Sequence, residues 1–394
     1  MTETEKMEYP MVTTELTPDQ AALAAGVRRF AEGELAGGAL ARAHSSDYPW
    51  EVAEKMAALG MFGITIAESD GGVGGTLMDA VITIQELAMV CPKSADVAQA
   101  GNFGAIRTFS EFANPAQKAR WLPELLAGKK VMSLGMSEPD AGSAVTELKT
   151  SAREDGDGYI INGSKVFSTH SRHADLFLIY VRFGPGANGI GSVLVERGTP
   201  GFTIGEPSQF MSGEEWCPLY FEDCRISAEN VLLGFGGFKK QISGFNIERI
   251  GNASRALALG RHAYVVARQH VMDRTQFGRP LCDFQGLQWK FAEMVVKMES
   301  AQLLLYRAAR DGDKNGLPSA FNTAVAKLSC NEAGFEVANE AMQAMGAYGY
   351  STECLVEYCV KRTRGWQIAG GSLEMLKNRI AEHIFDRRFS QRPS

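Results

Sequence analysis

The feature that most constrains this chain is a double change of period. From Thr17 to about Lys130 apolar residues recur at helical spacing, and between about 131 and 238 the runs turn short, β-branched and aromatic, broken by turn residues. From Phe238 to about Arg388 the helical period returns in longer stretches. This order predicts an α+β chain with three parts: an N-terminal all-α domain over 14–130, a middle β-barrel or antiparallel sheet domain over 131–238, and a C-terminal helical bundle over 239–390. Local signals agree. TPDQAALAAGVRRFAEGEL opens at a capping Thr17, PWEVAEKMAALG closes on Gly60, ESDGGVGGT (68–76) reads as a loop, and NPAQKARWLPELLAG starts at a cap-like Asn114 and ends near Gly128. The strands are expected in GYIINGSKVFST, DLFLIYVRF, GSVLVERGTPGFTIG, PLYFEDCRI and AENVLLG.

Composition narrows the function classes. With 394 residues, 45% hydrophobic and 22% charged, the chain can bury a large core. A net charge of -6 gives no global attraction to nucleic acid or anionic lipid, so neither is expected as a partner. Seven scattered cysteines without a CxxC pair indicate no zinc site and no disulfide framework, which points to no metal and to a reducing, cytoplasmic setting. The first residues show no apolar leader, and no run reaches the ~18 apolar residues of a membrane span.

Five motifs follow one another along the chain: LGMSEPDAGS (134–143), YIINGSKVFST (159–169), DRTQFGRPLCDFQ (273–285), QAMGAYGYSTE (343–353) and QIAGGSLEM (367–375). In this order they resemble the acyl-CoA dehydrogenase family of flavoproteins over nearly the whole sequence. The resemblance implies a C-terminal four-helix bundle, bound FAD, an acyl-CoA substrate, an electron-transferring flavoprotein as partner and a homotetramer. In SEPDAGS, Ser137 and Ser143 supply hydroxyl donors for the flavin edge or its phosphates, although the same letters describe a capped Gly-rich turn. Phe167, Ser168 and Thr169 match the flavin-facing strand, with Phe167 where Trp is commoner; taken alone, Phe167 reads as a core aromatic. Arg274, Gln276, Phe277 and Gln285 match the segment that reaches the FAD of a neighbouring subunit, where a guanidinium suits a pyrophosphate. Gln343, Gly346, Ser372 and Glu374 complete the set implied for the cofactor. The glycine turn at 346 is not a Rossmann fingerprint, since no GxGxxG follows a strand.

Desaturating a thioester requires a base for the α-proton, donors for the enolate oxygen and a hydride acceptor. Where many relatives carry the basic Glu, this chain has Gly370, which keeps only its backbone N–H as an oxyanion donor. Glu248 matches the position used as base by isovaleryl-CoA and long-chain acyl-CoA dehydrogenases and crotonobetainyl-CoA reductase, and an apolar pocket is expected to raise its pKa. An exposed helical ion pair with Arg249 is the plainer alternative. Asn246 and Arg249 match substrate positions near pantetheine or phosphate, with a helix N-terminus as the expected anion site; Ser143 and Gly371 also match substrate contacts. Small residues at Ala369, Gly370 and Gly371 suggest room for a branched, cyclic or substituted acyl chain.

Several positions depart from the family pattern: Ala144 after the first signature, His170 after the flavin strand, and Glu214, Glu215 and Trp216 ahead of the FED strand. Lys93 lies near where glutaryl-CoA enzymes hold a distal carboxylate, or is a solvated lysine. The competing readings are an enoyl-CoA reductase, a non-redox lyase resembling the desulfinases, against which Glu248 argues, and a non-catalytic flavoprotein.

Overall fold

The computed structural model describes residues 16–389, so the expected limits at 14 and 390 lie outside the described residues. The chain divides into two compact units. One gathers Ser45–Thr76 with Val97–Glu248; the other holds, among the described residues, those up to His44, Leu77–Asp96 and those from Arg249 on.

The first unit is built on a nine-stranded sheet, with strands β1 (Met132–Gly135), β2 (Ser151–Asp155), β3 (Gly158–Thr169), β4 (Leu176–Arg182), β5 (Ile190–Glu196), β6 (Phe202–Ile204), β7 (Ser208–Gln209), β8 (Glu215–Ser227) and β9 (Val231–Leu233). The order is β6-β8-β3-β2-β4-β5-β9, with β1 on β4 and β7 on β8. Most pairs are antiparallel, as the alternation led one to expect, but β1 runs parallel to β4, Met132 opposite Leu176 and Gly135 opposite Ile179. The sheet is therefore mixed. A long connection separates β1 from β4, which is what a parallel pair needs. The unbroken apolar run Leu176–Val181 is wholly buried, the signature of a strand covered on both faces. Against this sheet pack Ile106 and Phe109 of helix Ala105–Phe112 and Trp121, Leu122 and Leu125 of helix Pro115–Leu126, meeting Leu178 and Leu194. A reciprocal capping box between Asn114 and Gln117 starts the latter helix, a device worth about 1 kcal/mol.

The second unit is helical. A capping box between Thr17 and Gln20 opens helix Pro18–Phe30, followed by Leu77–Val90, Gln285–Asn315, Ala320–Met345, Val356–Trp366 and Leu373–Ile384. The long helix Phe238–Asp273 belongs to both units, the division falling between Glu248 and Arg249. Its later part lies backbone to backbone on Ala320–Met345: a Cβ on Gly260 would stand 2.8 Å from the Gly334 Cα, and one on Gly334 would stand 2.1 Å from the Ala256 carbonyl oxygen. Only glycine allows that approach. No described helix is long and apolar enough to cross a membrane.

Candidate active site

In the sheet unit, β3 and β8 lose register between Lys165 and Ser168. The irregularity puts Phe167 at φ +58°, a backbone region that bulky residues rarely adopt, and leaves its ring 57% exposed. Strain of this kind persists where the surroundings impose it. The ring lies 4.7 Å from Trp216 and 6.2 Å from Phe210, and Trp216 sits opposite Thr169 in the ladder. Trp216, noted in the sequence only as a departure, thus supplies an indole beside the phenyl group that stands where Trp is commoner. His170, at φ +61°, meets the buried Tyr48 edge-on at 5.6 Å.

The neighbouring first signature is organised from behind. Lys165 is fully buried and its ammonium donates to Glu138 at 2.7 Å and to the Met136 carbonyl at 3.3 Å. The Glu138 carboxylate also accepts the backbone N–H groups of Lys149 (2.5 Å) and Thr150 (2.9 Å). Burial pulls the Lys165 ammonium down to about 8 despite the carboxylate beside it. Burial works to raise the Glu138 carboxyl, but the Lys165 charge and the N–H donors hold it below the ordinary range. Ser137 uses its carbonyl to accept the Val166 N–H, and Ser143 is exposed. Ser168 is buried and its hydroxyl is spent inside the sheet, on Ser133 Oγ at 2.8 Å and the Leu134 carbonyl at 2.9 Å. Its side chain holds the strand and leaves its main chain for a cofactor contact.

Glu248, in the same unit, is half-buried, and its Oε2 accepts a hydrogen bond from Gln99 Nε2 at 3.0 Å. Gly104, at φ +66°, leaves space for the carboxylate: a Cβ there would come within 3.3 Å of Oε2. Gln99 was invisible to sequence reasoning, being one glutamine in helix Pro92–Asn102, far from Glu248 in the chain. Asn246 is half-buried on the same helix as Glu248. The anion site expected at a helix N-terminus is not formed around Asn246 and Arg249, because that helix begins at Phe238.

In the helical unit the turn after Trp366 carries Gly370 at φ +69° and Gly371 at φ +94°. Its carbonyls are held in sequence. Lys327, fully buried, donates to Trp366 (3.2 Å), Ala369 (2.9 Å) and Gly371 (2.9 Å), while Arg249 Nε donates to the Gly370 carbonyl at 3.2 Å. A Cβ on Gly370 would stand 2.5 Å from Asn252 Nδ2. Asn252 has little freedom to yield, since its Oδ1 accepts from Arg255, which pairs with the buried Asp96 at 2.8 Å. Arg362 reaches the other Asp96 oxygen at 2.7 Å, and both guanidinium groups lie over the Trp366 ring, at 3.7 Å and 4.6 Å. Burial opposes ionisation of Asp96, yet Arg362 and Arg255 keep its carboxyl below the usual value. In the direction a Gly370 side chain would take, the space is therefore occupied by Asn252. Lys93, half-buried in the first turn of its helix, adds its charge to those acting on Asp96.

The remaining expected cofactor residues lie at the surface of this unit. Arg274, Gln276 and Phe277 occupy the hairpin Thr275–Gln276 with Arg279–Pro280 and its approach; Phe277 is 93% exposed at φ +52°. Gln285, Gln343, Gly346 and Glu374 are exposed, and Ser372 caps helix Leu373–Ile384. Taken unit by unit, the exposed Phe167 ring suits a flat aromatic group, and the exposed Phe277 ring with the exposed Arg274 suits a ring and a pyrophosphate.

Three family descriptions match the chain: the acyl-CoA dehydrogenase N-terminal domain over residues 17–129, its middle domain over 133–224 and its C-terminal domain over 236–385. The chain belongs to the acyl-CoA dehydrogenase family. Among its relatives, a short-chain-specific acyl-CoA dehydrogenase of Clostridium acetobutylicum is 34% identical, the match covering 94% of this chain and 99% of the relative. A 3-sulfinopropanoyl-CoA desulfinase of Paraburkholderia xenovorans is 32% identical, over 96% and 99%. The solved butyryl-CoA dehydrogenase of Megasphaera elsdenii superposes with a TM-score of 0.88 at 31% identity, over 94% of this chain and 99% of that one. This acyl-CoA dehydrogenase relative is thus an FAD-dependent oxidoreductase acting on acyl-CoA, with the helical, mixed-sheet and helical segments of that fold.

Proposed function

We propose that the chain desaturates the α,β bond of an acyl-CoA with Glu248 as the base that takes the α-proton. One observation carries the reading: position 370 has no side chain and Asn252 stands where one would begin, whereas Glu248 bears a carboxylate oriented by Gln99. Bound FAD supplies the acceptor for the β-hydride. Residues assigned to hold it are Ser137, Ser143, Phe167, Ser168 through its main chain and Thr169 on the sheet unit, with Arg274, Gln276, Phe277, Gln285, Gln343, Gly346, Ser372 and Glu374 on the helical one. Asn246, Arg249, Ser143 and Gly371 are assigned to the CoA thioester, and the Gly370 N–H to its carbonyl oxygen. The proposed substrate is a short acyl-CoA, as the Clostridium and Megasphaera relatives are named for, with branching or a small ring admitted beside Ala369 and Gly371. An electron-transferring flavoprotein as acceptor, a homotetramer, a cytoplasmic setting and the three-domain division over 14–130, 131–238 and 239–390 belong to the same proposal. The bare Phe277 ring supports the oligomer, since a neighbouring subunit would cover it.

The test is an anaerobic titration of the oxidised holoprotein with straight, branched and dicarboxylic acyl-CoAs, read by flavin absorbance. Bleaching by one class, slowed roughly 10²–10⁴-fold in Glu248→Gln, is the expected result. Reoxidation of reduced protein by an enoyl-CoA, without bleaching by any acyl-CoA, would replace the reading by a reductase. The desulfinase relative favours a second reading, a lyase on this scaffold. Loss of the sulfinate group from 3-sulfinopropanoyl-CoA, undiminished in Glu248→Gln, would establish it.

A further inference from the structure

We propose that Lys327 is a positioning residue that aims the Gly370 N–H at the substrate's thioester oxygen, an inference that rests on the reading above. The argument begins with the buried ammonium. A lysine has three N–H donors, and Lys327 meets three main-chain carbonyls, those of Trp366, Ala369 and Gly371, at 2.9–3.2 Å. Two of these flank Gly370. The peptide unit is planar and trans, so its C=O and N–H point in opposite directions. Holding the Ala369 carbonyl on Lys327 therefore turns the Gly370 N–H away from Lys327, and holding the Gly371 carbonyl turns the Ser372 N–H away likewise. Arg249 fixes the peptide between them through the Gly370 carbonyl.

Two positive-φ glycines in a row have a wide choice of conformations, and nothing in their own chemistry selects one. Lys327 makes the selection. Oxyanion donors act by being oriented before charge develops, so a donor free to swing loses much of its effect. Asn252 closes the other escape by occupying the space next to the Gly370 Cα. Among the described residues no acceptor for the Gly370 N–H is found, as a donor kept for a substrate requires.

The experiment uses the oxidised holoprotein with crotonyl-CoA, 3-methylcrotonyl-CoA and cyclohexenecarbonyl-CoA, each carrying ¹³C at the thioester carbonyl. The readout is the bound carbonyl stretch by infrared difference spectroscopy, which reports hydrogen bonding to that oxygen without turnover. The expected result is a downshift in the wild type, more than half of it lost in Lys327→Met and partly restored in Lys327→Arg. In parallel kcat should fall roughly 10²–10³-fold in Lys327→Met, the range seen for losing one oxyanion donor, with KM changed far less. A wild-type carbonyl frequency in folded Lys327→Met overturns the proposal. Should that variant not fold, Lys327→Arg decides, because a planar fork cannot bring three donors from one nitrogen to three carbonyls; a wild-type frequency there overturns it. Glu248→Gln should keep the carbonyl shift and, with saturated butyryl-CoA in place of the enoyl thioesters, lose exchange of the α-proton with D₂O. Normal exchange in Glu248→Gln would remove the base assignment while leaving the carbonyl result to judge Lys327. If none of the three thioesters binds the wild type, the acyl-CoA site and this proposal fall together.

Discussion

The molecule buries a lysine behind each of two loops that matter, and satisfies them differently. Behind the first signature, Lys165 faces a carboxylate, Glu138, which in turn gathers two backbone N–H groups. Behind the glycine turn, Lys327 faces three carbonyl oxygens. A carboxylate offsets charge and anchors a loop through the N–H groups it accepts, whereas bonded carbonyls fix the direction of the peptides that bear them. The first arrangement is suited to holding a loop together, the second to orienting N–H groups.

Breaking the ion pair should have the largest effect on stability. Glu138→Gln leaves the Lys165 ammonium buried with a weaker partner and the Lys149 and Thr150 N–H groups with fewer acceptors, a loss of about 3–5 kcal/mol in denaturant unfolding at pH 7. Replacing both partners by apolar groups, Glu138→Leu with Lys165→Met, should recover more than half of that loss; no recovery would show that the N–H contacts of Glu138, not the pair, carry the stability. Lys327→Met should cost less, about 1–3 kcal/mol, because Ala369 is exposed and water can reach its carbonyl. Its kinetic loss should exceed that of Glu138→Gln. If the order of either measurement reverses, the contrast between an anchoring lysine and an orienting lysine fails.

A third change tests the glycine turn itself. Gly370→Glu restores a carboxylate at the usual place, yet it must enter against Asn252 at 2.5 Å and adopt φ +69°. Backbone strain alone is on the order of 1–3 kcal/mol. The expected outcome is a stability loss of about 2–3 kcal/mol and no rescue of flavin bleaching when combined with Glu248→Gly. Rescue would mean that Asn252 yields, and that the held turn is softer than its contacts imply.

The difference between what the sequence could and could not announce follows the same contrast. The periods that made the helices and the β-branched runs that made β3, β4 and β8 are local properties, and both capping boxes, Thr17 with Gln20 and Asn114 with Gln117, lie within four residues. The lack of a carboxylate at 370 and the presence of one at 248 were legible because they concern side chains at motif positions. Lys327 was not: it is one lysine in the run AVAKLSCNEAG, and its partners are backbone carbonyls, which every residue possesses. Asn252 beside Gly370 was equally hidden, because an absent side chain says nothing about what lies next to it. Trp216 was noticed, but its contact with Phe167 depends on a register shift between β3 and β8 that no single strand encodes. Contacts between distant segments of ordinary composition leave no local trace.

The smallest predicted effect is a pH response of Lys165. Lys165 titrates at about 8 in the folded protein against an ordinary value of 10.5, burial being the main cause. Between these values the unfolded chain holds a proton that the folded chain has released, so the contribution of this group to stability rises with pH. Below pH 8 the folded state carries the full cost of the buried charge; the cost is lifted as pH climbs through the window. Going from pH 7 to 9 covers the first part of it and should add about 1 kcal/mol, from the linkage of 1.36 kcal/mol per pKa unit. Comparing unfolding free energies of the wild type and Lys165→Met at the two pH values isolates this group from other alkaline titrations. The wild type should gain relative to Lys165→Met. Equal slopes would mean that Glu138 keeps the ammonium protonated throughout, making the ion pair tighter than its burial suggests and widening its difference from the carbonyl-bound Lys327.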